Sequence, residues 1–266
     1  MSKISIIIPV YNEAPYLKRC LDSIVPNKEI EVIVIDDHST DVSGDIYNEY
    51  RNLFRIIHLP AHSGVSVARN IGILEASGRY LTFLDSDDEY TPHGIETMLT
   101  AVDTFWSQPM VQFNHLRHIP KKSDIPFPRN LNASGMYSIS NLPHYWMGVW
   151  NKIFLTSFIR NNALMFNRLL DYGEDEVFVL NCLQKHQKIH CVEDCTVIKH
   201  VQNPNSLSKL LNKNKLIMLS EELLYIASDP DNSPEFDELM RHMLAVHWSS
   251  KNYKKYFGNI EKGDQP

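Results

Sequence analysis

The sequence is poor in cysteine, with four in 266 residues, too few and too scattered for a disulfide framework. It contains no apolar run approaching the ~20 residues that a membrane helix needs, and no secretory pattern precedes its first strand-like segment. A cytoplasmic protein is therefore expected. Basic residues are outnumbered, 26 against 32 acids, giving a formal charge of −6 that argues against a general nucleic-acid binder. Repeats and low-complexity tracts are missing too. What is present is a globular composition, 43% hydrophobic, in a chain long enough for one large α/β domain with an appendage. The cysteines Cys191 and Cys195 lie near His186, His190 and His200, but their spacing is not that of a zinc ribbon.

Strand and helix signals alternate through the first hundred residues. Ile4 to Ile8 is a β-branched run suited to a strand buried on both faces. Asn12 is then placed to cap a helix carrying Leu17, Cys20, Leu21 and Ile24. A second strand is predicted over 32–35, with Asp36 and Asp37 opening the next helix as cap formers. Further predictions are a strand at 55–59, a helix from 63 to 76 stopped by Gly78, a strand at 80–84 and a helix near 92–106. Such alternation means βαβ units and a mainly parallel sheet, whose ligands bind at the carboxyl ends of its strands. Residues 9–13, 36–37 and 85–88 all fall there.

Beyond residue 106 the pattern changes. A strand is predicted at 111–119, a loop or lid at 120–134, an aromatic segment at 145–150, a helix at 174–184 and a strand at 189–201. Two amphipathic helices, 210–227 and 236–256, follow. The organisation expected is 1–205 as one domain, its halves 1–100 and 101–205, with 206–266 as a helical tail.

Leu84-Asp85-Ser86-Asp87-Asp88 directly follows a strand. Carboxylates this close repel one another, and a hard divalent cation is the natural counter-charge. An EF-hand is excluded, because Tyr90 stands where its loop needs glycine. The bland alternative is a solvated turn ahead of the helix at Pro92. Arg69, on a helix of small and apolar residues, suits either an anionic ligand or an ion pair with a neighbouring carboxylate. A second acid cluster, 171–176, starts a helix and complements its dipole. Beside a metal-bearing cluster it also supplies a general base.

Together Ser5 to Glu13, Val34 to Asp41, Ser66 to Asn70 with Gly78-Arg79-Tyr80, and Phe83 to Asp88 resemble the family 2 nucleotide-sugar glycosyltransferases of the GT-A fold. Val149 to Lys152, Tyr172 to Asp175, and His200 with 205–208 resemble that family's acceptor-side motifs. His38 departs from the pattern, glycine being commoner there.

The resemblance implies a metal-dependent inverting transferase that moves a sugar from a UDP-sugar to a hydroxyl of a glycan or lipid-linked glycan in surface-polysaccharide synthesis. It implies Pro9, Tyr11, Glu13, Asp36, Asp37, Arg69, Asp85 and Ser86 for the nucleotide sugar, with Asp37 accepting from the uracil N3–H. Asp87 and His200 would hold Mn²⁺ or Mg²⁺. Asp175, or else Glu174, would be the base, and Trp150 and Lys152 would border the acceptor. The C-terminal helices, with Lys251, Lys254 and Lys255, offer a surface for a membrane or a second copy. A sugar nucleotidyltransferase of similar fold is the enzymatic alternative, disfavoured because 9–13 contains no glycine or basic residue. A non-catalytic scaffold is the other.

Overall fold

The computed structural model describes residues 2–119, 124–126, 133–141, 147–200, 203 and 211–249. The motif at 205–208, residues 120–123 and 127–132 of the expected lid, Tyr145 and Trp146, and the lysines at 251, 254 and 255 lie outside these residues.

Four strands, β1 (Ile4–Val10), β2 (Ile30–Asp36), β3 (Arg55–His58) and β4 (Tyr80–Phe83), run parallel in the order β3-β2-β1-β4. Every residue of β1 is buried, as its unbroken β-branched run requires of a central strand covered on both faces. The covering helices are α1 (Ala14–Asp22), α2 (Ser43–Tyr50) and α3 (Val65–Glu75). After the short β5 (Glu89–Tyr90) and α4 (Gly94–Thr104), the sheet becomes mixed. β6 (Met110–His118) is followed by β7 (Ile125–Pro126), β8 (Gly135–Ser138) and β9 (Lys152–Leu155), and β9 pairs antiparallel with both β4 and β6. α5 (Thr156–Asn161), α6 (Glu174–Lys185) and the long β10 (Lys188–His200) complete this half. β10 lies parallel to β6, interrupted by bulges near Val192 and Cys195.

The last described helices, α7 (Lys213–Ala227) and α8 (Pro234–Ser249), share one apolar cluster with the sheet. Leu219, Leu223, Phe236 and Met240 belong to the same buried set as Ile7, Phe83 and Phe178. On the opposite face a second cluster joins Ile6, Ile8, Leu17, Tyr47, Val102 and Phe113. The architecture is α/β, a ten-stranded sheet between helices with C-terminal helices attached.

Three local expectations are corrected. Asn12 does not cap α1: its backbone is left-handed at φ 54°, and its Oδ1 accepts from Thr40 N and Asp41 N instead. An amide side chain bridging two loops satisfies donors that no helix turn there would reach. Nor do Asp36 and Asp37 cap α2, whose N-cap is Val42; Asp41 Oδ1 accepts from Ser43 N. Gly78 does not end α3, which stops at Ala76. Glycine is needed at 78 because a Cβ would lie 2.6 Å from Ser5 N, where the chain passes beneath β1.

Candidate active site at the carboxyl edge of the sheet

Strand polarity brings the ends of β1, β2 and β4 to one edge, and two further elements deliver groups to it. Gly173, left-handed at φ 76°, turns the chain into α6 so that Glu174 and Asp175 stand in its first turn. A larger residue there would be strained and would meet Leu219 Cδ1 at 2.7 Å. The segment before this turn is clamped by Asn70, whose Nδ2 donates to Phe166 O and whose Oδ1 accepts from Phe166 N, 2.9 and 2.8 Å. The end of β10 supplies Lys199 and His200.

Arg69 is the hub. Only 4% exposed, its guanidinium donates through Nη1 to Glu174 Oε1 at 2.8 Å and through Nη2 to Asp85 Oδ1 at 2.9 Å. It lies 5.2 Å from the Phe166 ring centroid. Burial opposes its charge, but Asp85 and Glu174 outweigh that and hold its pKa above the ordinary arginine value. Of the two readings of Arg69 weighed from sequence, the ion pair is present.

Lys199 was not singled out by any motif, yet its ammonium lies 3.0 Å from Asp85 Oδ2 and 2.5 Å from Asp88 Oδ2. Its Nζ is also 4.8 Å from the centroid of Trp150. Burial works against the Asp85 carboxylate, but Lys199 and Arg69 outweigh it and hold the pKa well below the usual range. Asp88 is fully buried and Asp85 and Asp87 crowd it, so that its carboxyl is pushed up to about 7 despite Lys199. Asp88 Oδ1 accepts from His200 N at 2.9 Å, and Oδ2 faces the Lys199 ammonium, its ion-pair partner. Oxygens of Asp85, Asp87 and Asp88 come within 4.8 Å of one another, a spacing that fits a single cation.

Asp87 Oδ2 accepts from Asn203 Nδ2 at 3.0 Å. The same amide donates to both oxygens of Glu13, 2.9 and 3.1 Å, linking the end of β1 to the acidic turn. Burial raises the Glu13 pKa to about 7, with Asn203 opposing and Asp87 adding to the rise. Arg19 donates to Asp87 O at 2.5 Å. His200 Nε2 lies 2.7 Å from Glu89 Oε1, and its ring lies against His118, tilted at 37° with centroids 4.5 Å apart. Ser86 is buried within the same turn.

Pro9 is buried near the end of β1, opposite Ile35 of β2. Tyr11 is 41% exposed, and His62 stacks on its ring at 3.7 Å and 19°. Asp37 accepts from Ser63 N and Gly64 N, one on each oxygen, while His62 Nδ1 lies 2.8 Å from Oδ2. Asp36 accepts from Ser39 N and Tyr47 Oη and lies 2.9 Å from His58 Nδ1. Burial works against the Asp36 carboxylate, yet Ser39, His58 and Tyr47 hold its pKa below the ordinary value.

Asp175 differs from its neighbour. Glu174 is paired with Arg69, whereas, among the described residues, the Asp175 carboxylate accepts from the adjacent Glu176 N. Burial, and then the Glu174 charge, push its carboxyl up to about 6. Trp150 stands beside Lys199. Lys152 is 1% exposed, its ammonium donating to Gly148 O and Asn151 Oδ1, and burial lowers its pKa to about 7.

The sequence therefore pointed to the acids, including the 85–88 cluster as a cation site, and to Arg69, but not to Lys199, Asn203 or His62. Lys199 and Asn203 flank the end of β10, so the strand-end rule that exposed the acids was the available signal.

Comparison with known proteins agrees with this geometry. The glycosyl transferase family 2 profile matches residues 5–158. The chain is 32% identical over 209 residues to the poly(ribitol-phosphate) beta-glucosyltransferase of Bacillus spizizenii, covering 72% of this chain and 31% of the relative. It spans less than two thirds of the length of the curated relatives it matches first. Among solved structures, Staphylococcus aureus TarS 1-349 in complex with UDP-GlcNAc superposes with TM-score 0.81 at 22% identity, over 93% of this chain and 73% of that one. The mannosyltransferase PcManGT of Pyrobaculum calidifontis, in complex with GDP-Man and Mn²⁺, does so with TM-score 0.67 at 16% identity, over 93% and 70%. Fold, sheet-edge geometry and sequence match agree: the chain belongs to the family 2 glycosyltransferases and has their GT-A fold.

Proposed function

We propose that the protein is an inverting glycosyltransferase that uses a UDP-sugar and a divalent cation to glycosylate a hydroxyl of a surface glycan or its lipid-linked precursor. The observation that carries this reading is a carboxylate, Asp175, whose hydrogen bond among the described residues comes from the adjacent Glu176 N and whose carboxyl burial pushes up to about 6, beside a cation-sized group of three others, Asp85, Asp87 and Asp88. The relatives' names and bound ligands support the donor class and the acceptor. In our reading, residues 1–100 bind the donor, 101–205 bind the acceptor, and 206–266 form a helical tail.

The residues fit the metal that the fold family implies, for three carboxylates, Asp85, Asp87 and Asp88, bring hard oxygen ligands within 4.8 Å of one another, with Lys199 as a counter-cation at two of them. Asp85, Asp87 and Asp88 would hold Mn²⁺ or Mg²⁺, with His200 next to them at the strand end. When bound, such an ion neutralises charge on the departing diphosphate. Asp175 would take the proton from the acceptor hydroxyl oxygen as that oxygen attacks the anomeric carbon from the face opposite the nucleotide. A carboxylate with pKa about 6 is ionised at neutral pH and still more basic than an ordinary aspartate. Glu174 is less suited, because the Arg69 guanidinium already engages its Oε1 at 2.8 Å. Its pairing would instead fix the helix turn that aims Asp175.

Tyr11, Pro9 and Asp37 would form the uridine pocket, with Asp36 bracing it and Glu13 joining it to the acidic turn. Trp150 would border the acceptor side, and Lys152 would act from within the wall. Among the described residues no helix is long and apolar enough to cross a membrane. We place the reaction in the cytoplasm, at the membrane's inner face, where lipid-linked acceptors are carried.

Calorimetry with UDP and GDP, with and without Mn²⁺, tests the reading. UDP should bind in preference to GDP, and Mn²⁺ should strengthen it. Equal affinities, or indifference to Mn²⁺, would overturn the donor or the metal assignment respectively.

A further inference from the structure

Two cations sit among the site's carboxylates, and they are held in different ways. Arg69 is fixed on two sides by Asp85 and Glu174, with its side chain 5% exposed. Lys199 stands at the end of β10 with its side chain 25% exposed, and it contacts Asp85 and Asp88. Those are two of the three carboxylates whose oxygens come within 4.8 Å of one another. An ammonium in contact with them competes with a dication for the same oxygens. Asp88 cannot follow the lysine away, because Oδ1 is tied to the backbone N–H of His200. Asp85 is likewise retained by Arg69. The lysine is the movable partner. The Trp150 ring at 4.8 Å offers its ammonium a surface outside the carboxylates.

We propose that Lys199 is the built-in counter-cation of this site, displaced when a divalent ion enters and re-paired with the anionic diphosphate of the donor. The proposal rests on the metal-dependent reading above. Its logic is electrostatic. Without a metal, Lys199 offsets the repulsion among Asp85, Asp87 and Asp88 and keeps the acidic turn in place. With a metal alone, the ammonium loses its partners and remains a partly buried, unpaired charge, which disfavours metal binding. With metal and nucleotide together, the ammonium regains an anion. Metal and donor therefore bind cooperatively, and the coupling acts equally in both directions.

The test is a Mn²⁺ titration, by calorimetry and by the paramagnetic resonance signal of free Mn²⁺, with and without UDP. It compares the wild-type protein with Lys199→Met and Lys199→Arg. Wild type should bind Mn²⁺ weakly alone and much more tightly with UDP. Lys199→Met should bind Mn²⁺ alone about tenfold more tightly, for the competing charge is gone, and should lose most of the enhancement by UDP. Lys199→Arg, which keeps the charge, should stay near wild type. If Lys199→Met is too unstable to titrate, its melting temperature should rise more on adding Mn²⁺ than that of wild type. Unchanged Mn²⁺ affinity and unchanged coupling in Lys199→Met, or a weaker affinity without UDP, would overturn the proposal while leaving the metal site standing. Failure of wild type to bind Mn²⁺ even with UDP would remove the metal reading itself, and this proposal with it.

Discussion

Asp36 and Asp37 at the end of β2 carry the same side chain as Asp87, Asp88 and Asp175 on the far side of the site, and they live in opposite circumstances. Both oxygens of Asp37 accept from backbone N–H groups, at Ser63 and Gly64. Asp36 is bonded by Ser39, Tyr47 and His58. These acids spend their charge on ordering the loops that follow β2 and β3. Across the site, burial and the crowding of Asp85 and Asp87 push the Asp88 carboxyl up to about 7 despite Lys199, and burial pushes that of Asp175 up to about 6. Carboxyls displaced this far by their surroundings are where, in the function we propose, an ion or a proton is received. The lesson is that surroundings, more than residue type, separate acids that order loops from acids left poised for chemistry.

The sharpest way to break this contrast is at Asp175. Asp175→Asn should lower transfer by about 10²- to 10⁴-fold, the usual range for a general base, with UDP affinity nearly unchanged. Since burial disfavours the ionised carboxylate, the amide should melt no lower than wild type at neutral pH. In wild type the required form is the unprotonated one. Activity should therefore rise with pH through about 6 and level off above it, and the variant's residual rate should lack that rise. Full activity in Asp175→Asn would pass the role to Glu174.

Next in size is Asp87→Ala, which should weaken Mn²⁺-dependent UDP binding by at least about tenfold while metal-free UDP binding changes little. Calorimetry on the two forms decides it. On the satisfied side the expected damage is to stability. Asp37→Asn places an amide opposite two backbone donors and should cost about 2 kcal/mol, measured by urea denaturation. A catalytic loss there without a stability loss would erase the distinction. The smallest effect is expected of His62→Ala, which removes one stacking partner of Tyr11 and one neighbour of Asp37 while both backbone donors to Asp37 remain. Its UDP affinity should move by no more than about tenfold.

Much of this was legible in the residues. The run Ile4 to Ile8 and the alternation after it dictate parallel strands, and that polarity alone collects residues 9–13, 36–37 and 85–88 at one edge. Local satisfaction was not legible. Asn12 and Asp37 look like helix caps because their chemistry suits any nearby N–H, and only the packed loops decide which one they meet. The pairing of Arg69 with Glu174 spans 105 positions, and that of Lys199 with Asp85 spans 114. No periodicity reports such contacts. The turn of sheet direction at β9 was hidden for a similar reason, because a four-residue buried strand reads alike in either direction.

Gly173 carries a further consequence. Leu219 of α7 rests where a side chain at 173 would stand, so the C-terminal helices touch the very turn from which Glu174 and Asp175 project. A chimera that exchanged these helices for others, even with every proposed donor-contacting residue retained, would alter the footing of the turn that we propose as catalytic. In that reading the helices share in aiming Asp175, and grafting experiments should treat Leu219 and Gly173 as one unit.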